Sequence, residues 1–373
     1  MSKAPELNIP PSTNTVDVSI INTAHTILGL PTSIFYGPKI SGHDIIAAPV
    51  YSFLIQHPTL DRTIVFDLGI RKDWQNYSPV MTKSIDPDHV TIRVPKTVRQ
   101  ILDDGGVDTA KVESVVWSHW HLDHCGSPAE WPVTTSLIVG PGFENGLLPG
   151  YPTNSESPIL ESDLADRRLI ELSFPSDFNI GAMEALDYFS DGSLYFLNSP
   201  GHTIGHISAL ARVTSNPDSF ILMGGDAWHH SAELRPSPYL PLPEQISPHP
   251  FTNYPTSPCP GALFASILRD GDNTKSFYEP RGPGVLVHYD QEEATRTIEK
   301  LQEVDPRDDV LMAAAHDESL LDVVDFFPKK ANGFMEKGWV KQARWKFLMD
   351  FAKAVGWEGE VKGLRDWSTP KER

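Results

Sequence analysis

The sequence is poor in cysteine and in long apolar runs. Its two cysteines, Cys125 and Cys259, are too few for a disulfide framework. It has no run of 18 apolar residues, and its first residues lack the apolar core of a signal peptide. We therefore expect a protein of the reducing cytoplasm that does not enter a membrane.

Basic residues are also scarce relative to acidic ones. Lys and Arg number 31 against 49 Asp and Glu, which gives a formal net charge of -18. A surface of that sign repels phosphate groups, so we expect neither nucleic acid nor an anionic membrane as a partner. The length of 373 residues and the 40% of hydrophobic residues are ordinary for a globular protein. The expected partner is a small molecule.

What the sequence does contain is a dense group of metal-binding residue types in the stretch 118–126. An apolar, β-branched run precedes it, which predicts a buried strand with the histidines in the loop at its carboxyl end. His119 and His121 are two residues apart, so in an extended chain their side chains point to the same side and both can face one metal ion. Asp123 and His124 follow where the chain turns, and they can face a second ion. Imidazole and carboxylate together suit Zn(II) best, with Fe or Mn as alternatives.

Further motifs follow predicted strands in the same way. They are Asp67-Leu68-Gly69, Pro200-Gly201-His202-Thr203, Gly225-Asp226-Ala227 and His316. Together with the histidine cluster, and in this order, they resemble the signature of the metallo-β-lactamase-fold hydrolases over about residues 16–325. The resemblance implies an α/β protein with a four-layered αββα sandwich. Amphipathic spacing predicts helices over 95–104 and 290–304.

The resemblance also implies how the site is built. Three imidazoles bind one ion, a second trio binds the other, and a carboxylate bridges the two: His119, His121 and His202; Asp123, His124 and His316; and Asp226. Two Zn(II) ions per chain are implied, with Fe or Mn possible. Asp67 is expected to accept a hydrogen bond from a ligand imidazole. His206 is expected to be structural or to support a ligand, not to bind metal.

Within the family, these motifs are most similar to those of the acyl-homoserine-lactone lactonases. Such enzymes commonly have a tyrosine three residues after the bridging aspartate, where this chain has His229. The resemblance implies a dinuclear zinc hydrolase in which a hydroxide shared by the metals opens a lactone or similar activated ester. Asp123, Asp226 and His229 are the expected catalytic residues. His229 polarises the substrate carbonyl or forms part of the pocket wall.

Two other activities remain open from the sequence. One is a thioesterase of the glyoxalase II kind, although such sites usually gather basic residues and this chain is acidic. The other is a mononuclear iron dioxygenase acting on persulfides, which shares the first histidine motif. The number and identity of the bound metals distinguish the second activity from a dinuclear zinc hydrolase.

The chain is predicted to consist of an extended arm (1–15), a hydrolase domain (16–328) and a helical extension (329–373). Prolines recur so densely in 231–260 that neither a helix nor a central strand can form there. Because this segment begins shortly after Asp226, it must start beside the metal-binding residues, and it is predicted to cap the site.

The predicted substrate pocket is lined by aromatic residues, namely Trp228, Tyr239, Phe251 and Tyr254. The extension carries an apolar stripe at helical spacing from Trp339 to Ala354. Such a stripe packs on the body of the protein or on a second subunit, so a homodimer is a possible assembly.

Overall fold

The computed structural model describes residues 2–83, 85, 90–252, 257–281 and 287–364. Its strands are β1 (Asp17–Pro31), β2 (Tyr36–Gly37), β3 (Ile45–His57), β4 (Arg62–Phe66), β5 (Thr91–Arg93), β6 (Ser114–Val116), β7 (Ser136–Val139), β8 (Leu169–Glu171), β9 (Asn179–Ile180), β10 (Met183–Asp187), β11 (Leu194–Asn198), β12 (Ile207–Ser215), β13 (Asp218–Met223), β14 (Gln245–Ile246), β15 (Cys259–Pro260), β16 (Glu279–Pro280) and β17 (Val310–Ala313). Its α-helices are α1 (Pro79–Lys83), α2 (Val98–Asp104), α3 (Leu122–Cys125), α4 (Phe143–Leu147), α5 (Glu161–Leu164), α6 (Gln291–Gln302) and α7 (Trp339–Ala343). Short 3-10 helices lie at Thr32–Ile34, Trp74–Asn76, Thr109–Lys111, Pro128–Glu130, Ser231–Glu233, Gly261–Ile267, Arg269–Gly271, Glu318–Leu320 and Lys346–Phe351.

Two large sheets dominate the described residues. The first has seven strands in the order β5-β1-β3-β4-β6-β7-β8, and the second has six in the order β17-β13-β12-β11-β10-β9. Strands β4, β6, β7 and β8 run parallel to one another, as do β13 and β17. The other neighbours within these two sheets are antiparallel.

The sheets pack face to face, and helices cover their outer faces. In β4, Ile64 and Phe66 point into the core between the sheets, whereas Val65 points outwards to a second core that includes α2. In β11, Phe196 points inwards and Leu197 points outwards to a third core that includes α6. This alternation follows from the two-residue period of a strand. The predicted αββα sandwich is therefore confirmed.

Helices α2 and α6 lie within the two predicted ranges, and side chains cap both. Thr97 accepts a hydrogen bond from the backbone N–H of Gln100, and the Gln100 side chain accepts one in return. Asp290 accepts a hydrogen bond from the backbone N–H of Glu293 at the start of α6. The longest described helix, α6, has 12 residues. None of the described helices combines the length and apolarity that a membrane span requires.

The N-terminal arm has no regular secondary structure in residues 2–15, and it packs along the second sheet. Leu7 is buried and accepts a backbone hydrogen bond from Gly181 at 2.7 Å. Pro10 accepts one from the buried guanidinium of Arg212 at 2.6 Å. These contacts hold the arm on the body of the protein.

The C-terminal extension packs on the body, but its stripe does not form a continuous helix. Helix α7 ends at Ala343, and a 3-10 helix follows at Lys346–Phe351. Trp339 and Ala343 join the core between the sheets, whereas Phe347 and Phe351 join a separate cluster with the segment around 232–278. Because the two ends of the stripe pack against different cores, a single straight helix does not satisfy both.

Candidate metal centre

The metal-binding motifs meet at one edge of the sandwich. Strands β4, β6, β11, β13 and β17 end just before Asp67, His119, His202, Asp226 and His316 respectively. Strands that run in the same direction place their carboxyl ends at the same sheet edge. All of these side chains are buried. The site is therefore set by strand direction, and loops deliver its side chains.

Three imidazoles form the first half of the site. The Nε2 atom of His202 lies 3.2 Å from Nε2 of His119 and 2.9 Å from Nδ1 of His121. The Oδ2 atom of Asp226 lies 3.5 Å from Nε2 of His202. One ligand atom from each of these residues lies within 4.8 Å of all the others.

Asp123, His124 and His316 form the second half. The Nε2 atom of His316 lies 3.3 Å from Oδ2 of Asp123. The Oδ1 atom of Asp226 lies 3.1 Å from Nε2 of His124 and 3.2 Å from Nε2 of His316. Asp226 therefore presents one carboxylate oxygen to each half of the site.

Asp67 supports the second half from behind. Its carboxylate accepts hydrogen bonds from the backbone N–H and the hydroxyl of Ser118, at 2.7 and 2.8 Å. It also lies 2.8 Å from Nδ1 of His124, which donates to it. Burial acts to lower the pKa of His124, but the carboxylates of Asp226, Asp67 and Asp123 outweigh it and raise this pKa well above the usual value. Metal binding requires the neutral form, in which His124 presents a lone pair at Nε2.

Nε2 of His124 faces Oδ1 of Asp226, and both of these atoms are buried without a hydrogen-bond partner. Two acceptors 3.1 Å apart repel unless a cation or a proton lies nearby. This pair of unsatisfied atoms is what the metal of a dinuclear centre would satisfy, so the residues fit such a group.

His206 lies outside the ligand set. Its Nδ1 donates to the carbonyl oxygen of Ser199 at 2.9 Å. Its Nε2 accepts from the backbone N–H of Asp226 at 3.0 Å. Both ring nitrogens are thus occupied, and the residue fixes the backbone that carries the Asp226 carboxylate.

The two halves of the site differ in protonation. Burial lowers the pKa values of His119 and His202 well below the usual range, so their imidazoles are neutral and their lone pairs are available. Burial also acts to lower the pKa of His316, but the carboxylates of Asp226 and Asp123 outweigh it and raise this pKa to about 10. The carboxylate-rich half therefore favours positive charge.

His229 lies in the wall of the cavity beside the ligands. Its Nε2 is 3.4 Å from Oδ2 of Asp226, and both ring nitrogens are buried without a hydrogen-bond partner. The backbone N–H groups of His229 and His230 donate to Oε2 of Glu233 at 2.7 and 3.1 Å. Sequence reasoning missed Glu233, which is fully buried and holds this turn. The spacing His230-x-x-Glu233, a capping-box spacing, was the available signal.

A cavity of about 330 Å³ opens onto these residues. Its polar lining consists of site residues: His121, Asp123, His202, Asp226, His229 and His316. The apolar wall comes mainly from β1, β3, α1, β5 and the turns beside them: Ile27, Leu30, Ile34, Phe35, Ile46, Met81, Ile85, Val90, Ile92, Leu122 and Val287. No lysine or arginine occurs among the lining residues that the structure describes.

The aromatic residues that were predicted to line the substrate pocket do not line this cavity where the structure describes them. Trp228 is buried in the core under the second sheet, packed so closely that a Cβ on Gly224 would lie 2.4 Å from its ring. Phe251 is also fully buried, and its ring centroid lies 4.9 Å from that of Trp357. Tyr239 is partly exposed and does not line the cavity. Tyr254 lies outside the described residues.

The proline-rich segment 231–260 likewise does not cap the cavity in its described part. It is irregular, as predicted, apart from the short 3-10 helix Ser231–Glu233 and the strands β14 and β15. Its apolar side chains pack against the C-terminal extension in a shared cluster. The cavity wall is instead supplied by strands that precede the histidine cluster.

Comparison with known proteins agrees with this architecture. No family model matches the sequence. The chain is 44% identical to "Gamma-lactamase FDB1" of Fusarium pseudograminearum, over 96% of this chain and 89% of the relative. It is 40% identical to "Metallo-hydrolase mfmC" of Annulohypoxylon moriforme, over 97% and 94%. A solved N-acyl homoserine lactone hydrolase shares the fold, with a TM-score of 0.54, 15% identity, and coverage of 85% of this chain and 99% of that one.

The chain therefore belongs to the metal-dependent hydrolases of the metallo-β-lactamase fold, among members that resemble lactonases.

Metal removal should lower the stability of the protein. A ligand present at 100 times its Kd stabilises a fold by about 2.7 kcal/mol, and in a large domain each kcal/mol shifts Tm by about 2–4 °C. We expect chelation to lower the Tm by about 5 °C or more, and added zinc, but not magnesium, to restore it. Calorimetry of purified, chelated and zinc-reloaded protein measures this. An unchanged Tm after chelation would contradict a metal bound among these side chains.

Proposed function

We propose that the protein is a dinuclear zinc hydrolase that opens a lactone or lactam ring. The observation that carries this proposal is the position of Asp226, which offers one carboxylate oxygen to each trio of ligand-type side chains. His119, His121 and His202 would hold one ion, and Asp123, His124 and His316 the other. Iron or manganese in place of zinc would use the same ligands.

The metals and the side chains would contribute different parts of the chemistry. A pair of divalent ions lowers the pKa of water to near neutrality and stabilises negative charge on a carbonyl oxygen. Asp123 lines the cavity and lies 3.3 Å from Nε2 of His316, so it can carry a proton between the attacking water and the leaving group. His229 lines the cavity with its Nε2 3.4 Å from Oδ2 of Asp226, so an N–H at this nitrogen can donate to a substrate carbonyl oxygen placed beside that carboxylate.

The cavity favours a small, uncharged substrate. Its volume of about 330 Å³ is at the lower end of the range for ligand pockets, about 300–1,000 Å³. Apart from the site residues, the described wall is hydrocarbon and aromatic, so nothing in it pairs with a substrate carboxylate. A neutral ring with apolar substituents suits this wall. The anionic thioesters of glutathione that a glyoxalase II would bind do not.

The ring itself is suggested by the relatives. One relative that matches 96% of this chain is named a γ-lactamase, and a neighbour of the same fold is an acyl-homoserine-lactone hydrolase. Both names describe hydrolysis of a five-membered ring at its own carbonyl carbon, which is bonded to nitrogen in a γ-lactam and to oxygen in a homoserine lactone. This supports a cyclic ester or cyclic amide as the substrate class.

A substrate panel combined with metal analysis tests the proposal. We expect two zinc-like ions per chain, and turnover of γ-lactones or γ-lactams with short apolar substituents. Thioesters and anionic esters should react much more slowly. If thioesters were hydrolysed while γ-lactones and γ-lactams did not react, the thioesterase alternative would be established. A single iron with consumption of oxygen would establish the persulfide dioxygenase.

The two buried carboxylates should differ in importance. Asp226→Asn removes the charge shared by both halves of the site, so we expect loss of metal and of nearly all activity. Asp67→Asn alters only the partner of one imidazole, a change that typically costs about 10- to 100-fold. Zinc content and kcat/KM of both variants measure the difference. Equal losses would show that the bridging and supporting roles are wrongly divided between them.

His229 should act on turnover without holding metal. Removing one donor to a developing oxyanion typically costs about 10²–10³ in kcat, so we expect His229→Ala to lose up to this much while keeping both ions. His229→Tyr should recover part of the loss because a phenol also donates. His249→Ala serves as a control, since His249 lies outside the cavity. Loss of an ion in His229→Ala would make the residue a ligand instead.

A further inference from the structure

His288 lies directly behind a proposed metal ligand. Its Nδ1 is 3.4 Å from Nδ1 of His202, and the two rings cross at 80°. Its Nε2 is 3.2 Å from the carbonyl oxygen of Phe35. The side chain is 3% exposed, so water does not compete freely for either nitrogen.

The protons on these two rings can be assigned from their partners. The Phe35 carbonyl only accepts, so Nε2 of His288 carries a proton and donates it. A neutral His288 then has a lone pair at Nδ1, which accepts from Nδ1–H of His202. His202 is left with its own lone pair at Nε2, the atom that lies 2.9 Å from Nδ1 of His121. His288 thus selects the tautomer of His202 whose lone pair, at Nε2, faces the other ligand-type side chains.

The backbone around His288 is anchored independently of its imidazole. The N–H groups of Tyr289 and Asp290 donate to the carbonyl oxygens of His202 and Gly201, at 2.8 and 2.9 Å. Gly201 has a φ of +120°, and a Cβ there would lie 2.1 Å from the backbone nitrogen of Ala294 in α6. The chain before α6 therefore stays against the His202 loop when only the side chain at 288 is changed.

A different reading of the same residues is a further metal site. Nitrogen atoms of His202, His229 and His288 lie within 4.8 Å of one another. An ion there would take the Nδ1 lone pair of His288 and force His202 to use both ring nitrogens as ligands. The hydrogen bonds from His288 to Phe35 and from His202 to His288 account for the contacts with neutral rings. The supporting arrangement is therefore the one that the geometry favours.

We propose that His288 is a positioning residue that orients His202 and sets the affinity of the ion bound by His119, His121 and His202. This inference rests on the proposed function, because it takes His202 to be a ligand. Partners of metal-binding imidazoles fix the ring orientation and raise its basicity, and their loss typically weakens metal binding about 10- to 100-fold.

The experiment compares two substitutions with different hydrogen-bonding capacity. His288→Leu fills similar space without polar atoms. His288→Gln can accept from His202 through its amide oxygen and donate to Phe35 through its amide nitrogen. The control is His57→Leu, which removes another buried imidazole whose two nitrogens are bonded, to Asp191 and to the backbone of Leu60. Zinc affinities are measured by competition with a chromophoric chelator, zinc content by elemental analysis, and kcat and KM separately.

We expect His288→Leu to weaken the binding of one of the two zinc ions by about 10- to 100-fold and to leave the affinity for the other ion unchanged. His288→Gln should stay within a few-fold of the wild type, and His57→Leu should keep both affinities. Wild-type affinity for both ions in His288→Leu would overturn the proposal. Equal losses of zinc affinity in the leucine and glutamine variants would also overturn it. So would a third zinc ion that is bound by the wild-type protein and lost in His288→Leu. A wild-type chain that binds no zinc would instead overturn the proposed function, and this inference with it.

Discussion

The buried carboxylate of Asp226 is the constraint on which the site depends. Moving an ionised carboxylate out of water costs several kcal/mol unless it is paired, and this side chain lies almost wholly inside the protein. Its two oxygens face imidazoles on both sides, while His206 fixes its backbone. Burial acts to raise the pKa of Asp226, but the neighbouring imidazoles of His124 and His316 outweigh it and hold this pKa well below the usual value. Every other ligand-type side chain is arranged around that charge.

Much of this arrangement could be predicted from the sequence because it depends on local order. Each ligand-type side chain follows a strand whose apolar residues alternate or run together, so strand prediction places it at a strand end, and the resemblance to a known family implied that these ends meet. The spacing of His119, His121, Asp123 and His124 then divides them between two halves. The helices α2 and α6 were equally local, since amphipathic spacing predicted both, but α2 starts at Val98 behind its cap Thr97 and not at residue 95. These features do not require knowledge of distant contacts.

The wall of the cavity could not be predicted in this way. Ile27 and Ile46 belong to apolar strands, but an apolar pattern does not say which residues border an empty space. The aromatic residue of the proline-rich segment that is fully buried, Phe251, packs against Trp357, more than 100 positions later. The same cluster takes Phe347 and Phe351 from the C-terminal stripe and so divides it from Trp339. These packing partners are distant in the sequence, so the local periodicity of one segment does not predict them.

The charge of the protein and the apolarity of the cavity act together on the proposed reaction. With a net charge of -18, the chain gives no long-range attraction to an anion, so a neutral ring must bind by burial of apolar surface. Ring opening converts that substrate into a carboxylate. The described part of the wall has no lysine or arginine to pair with it, and Asp123 and Asp226 lie nearby. The wall therefore favours entry of the uncharged ring, and any attraction for the product carboxylate has to come from the proposed metal ions and not from the protein around them.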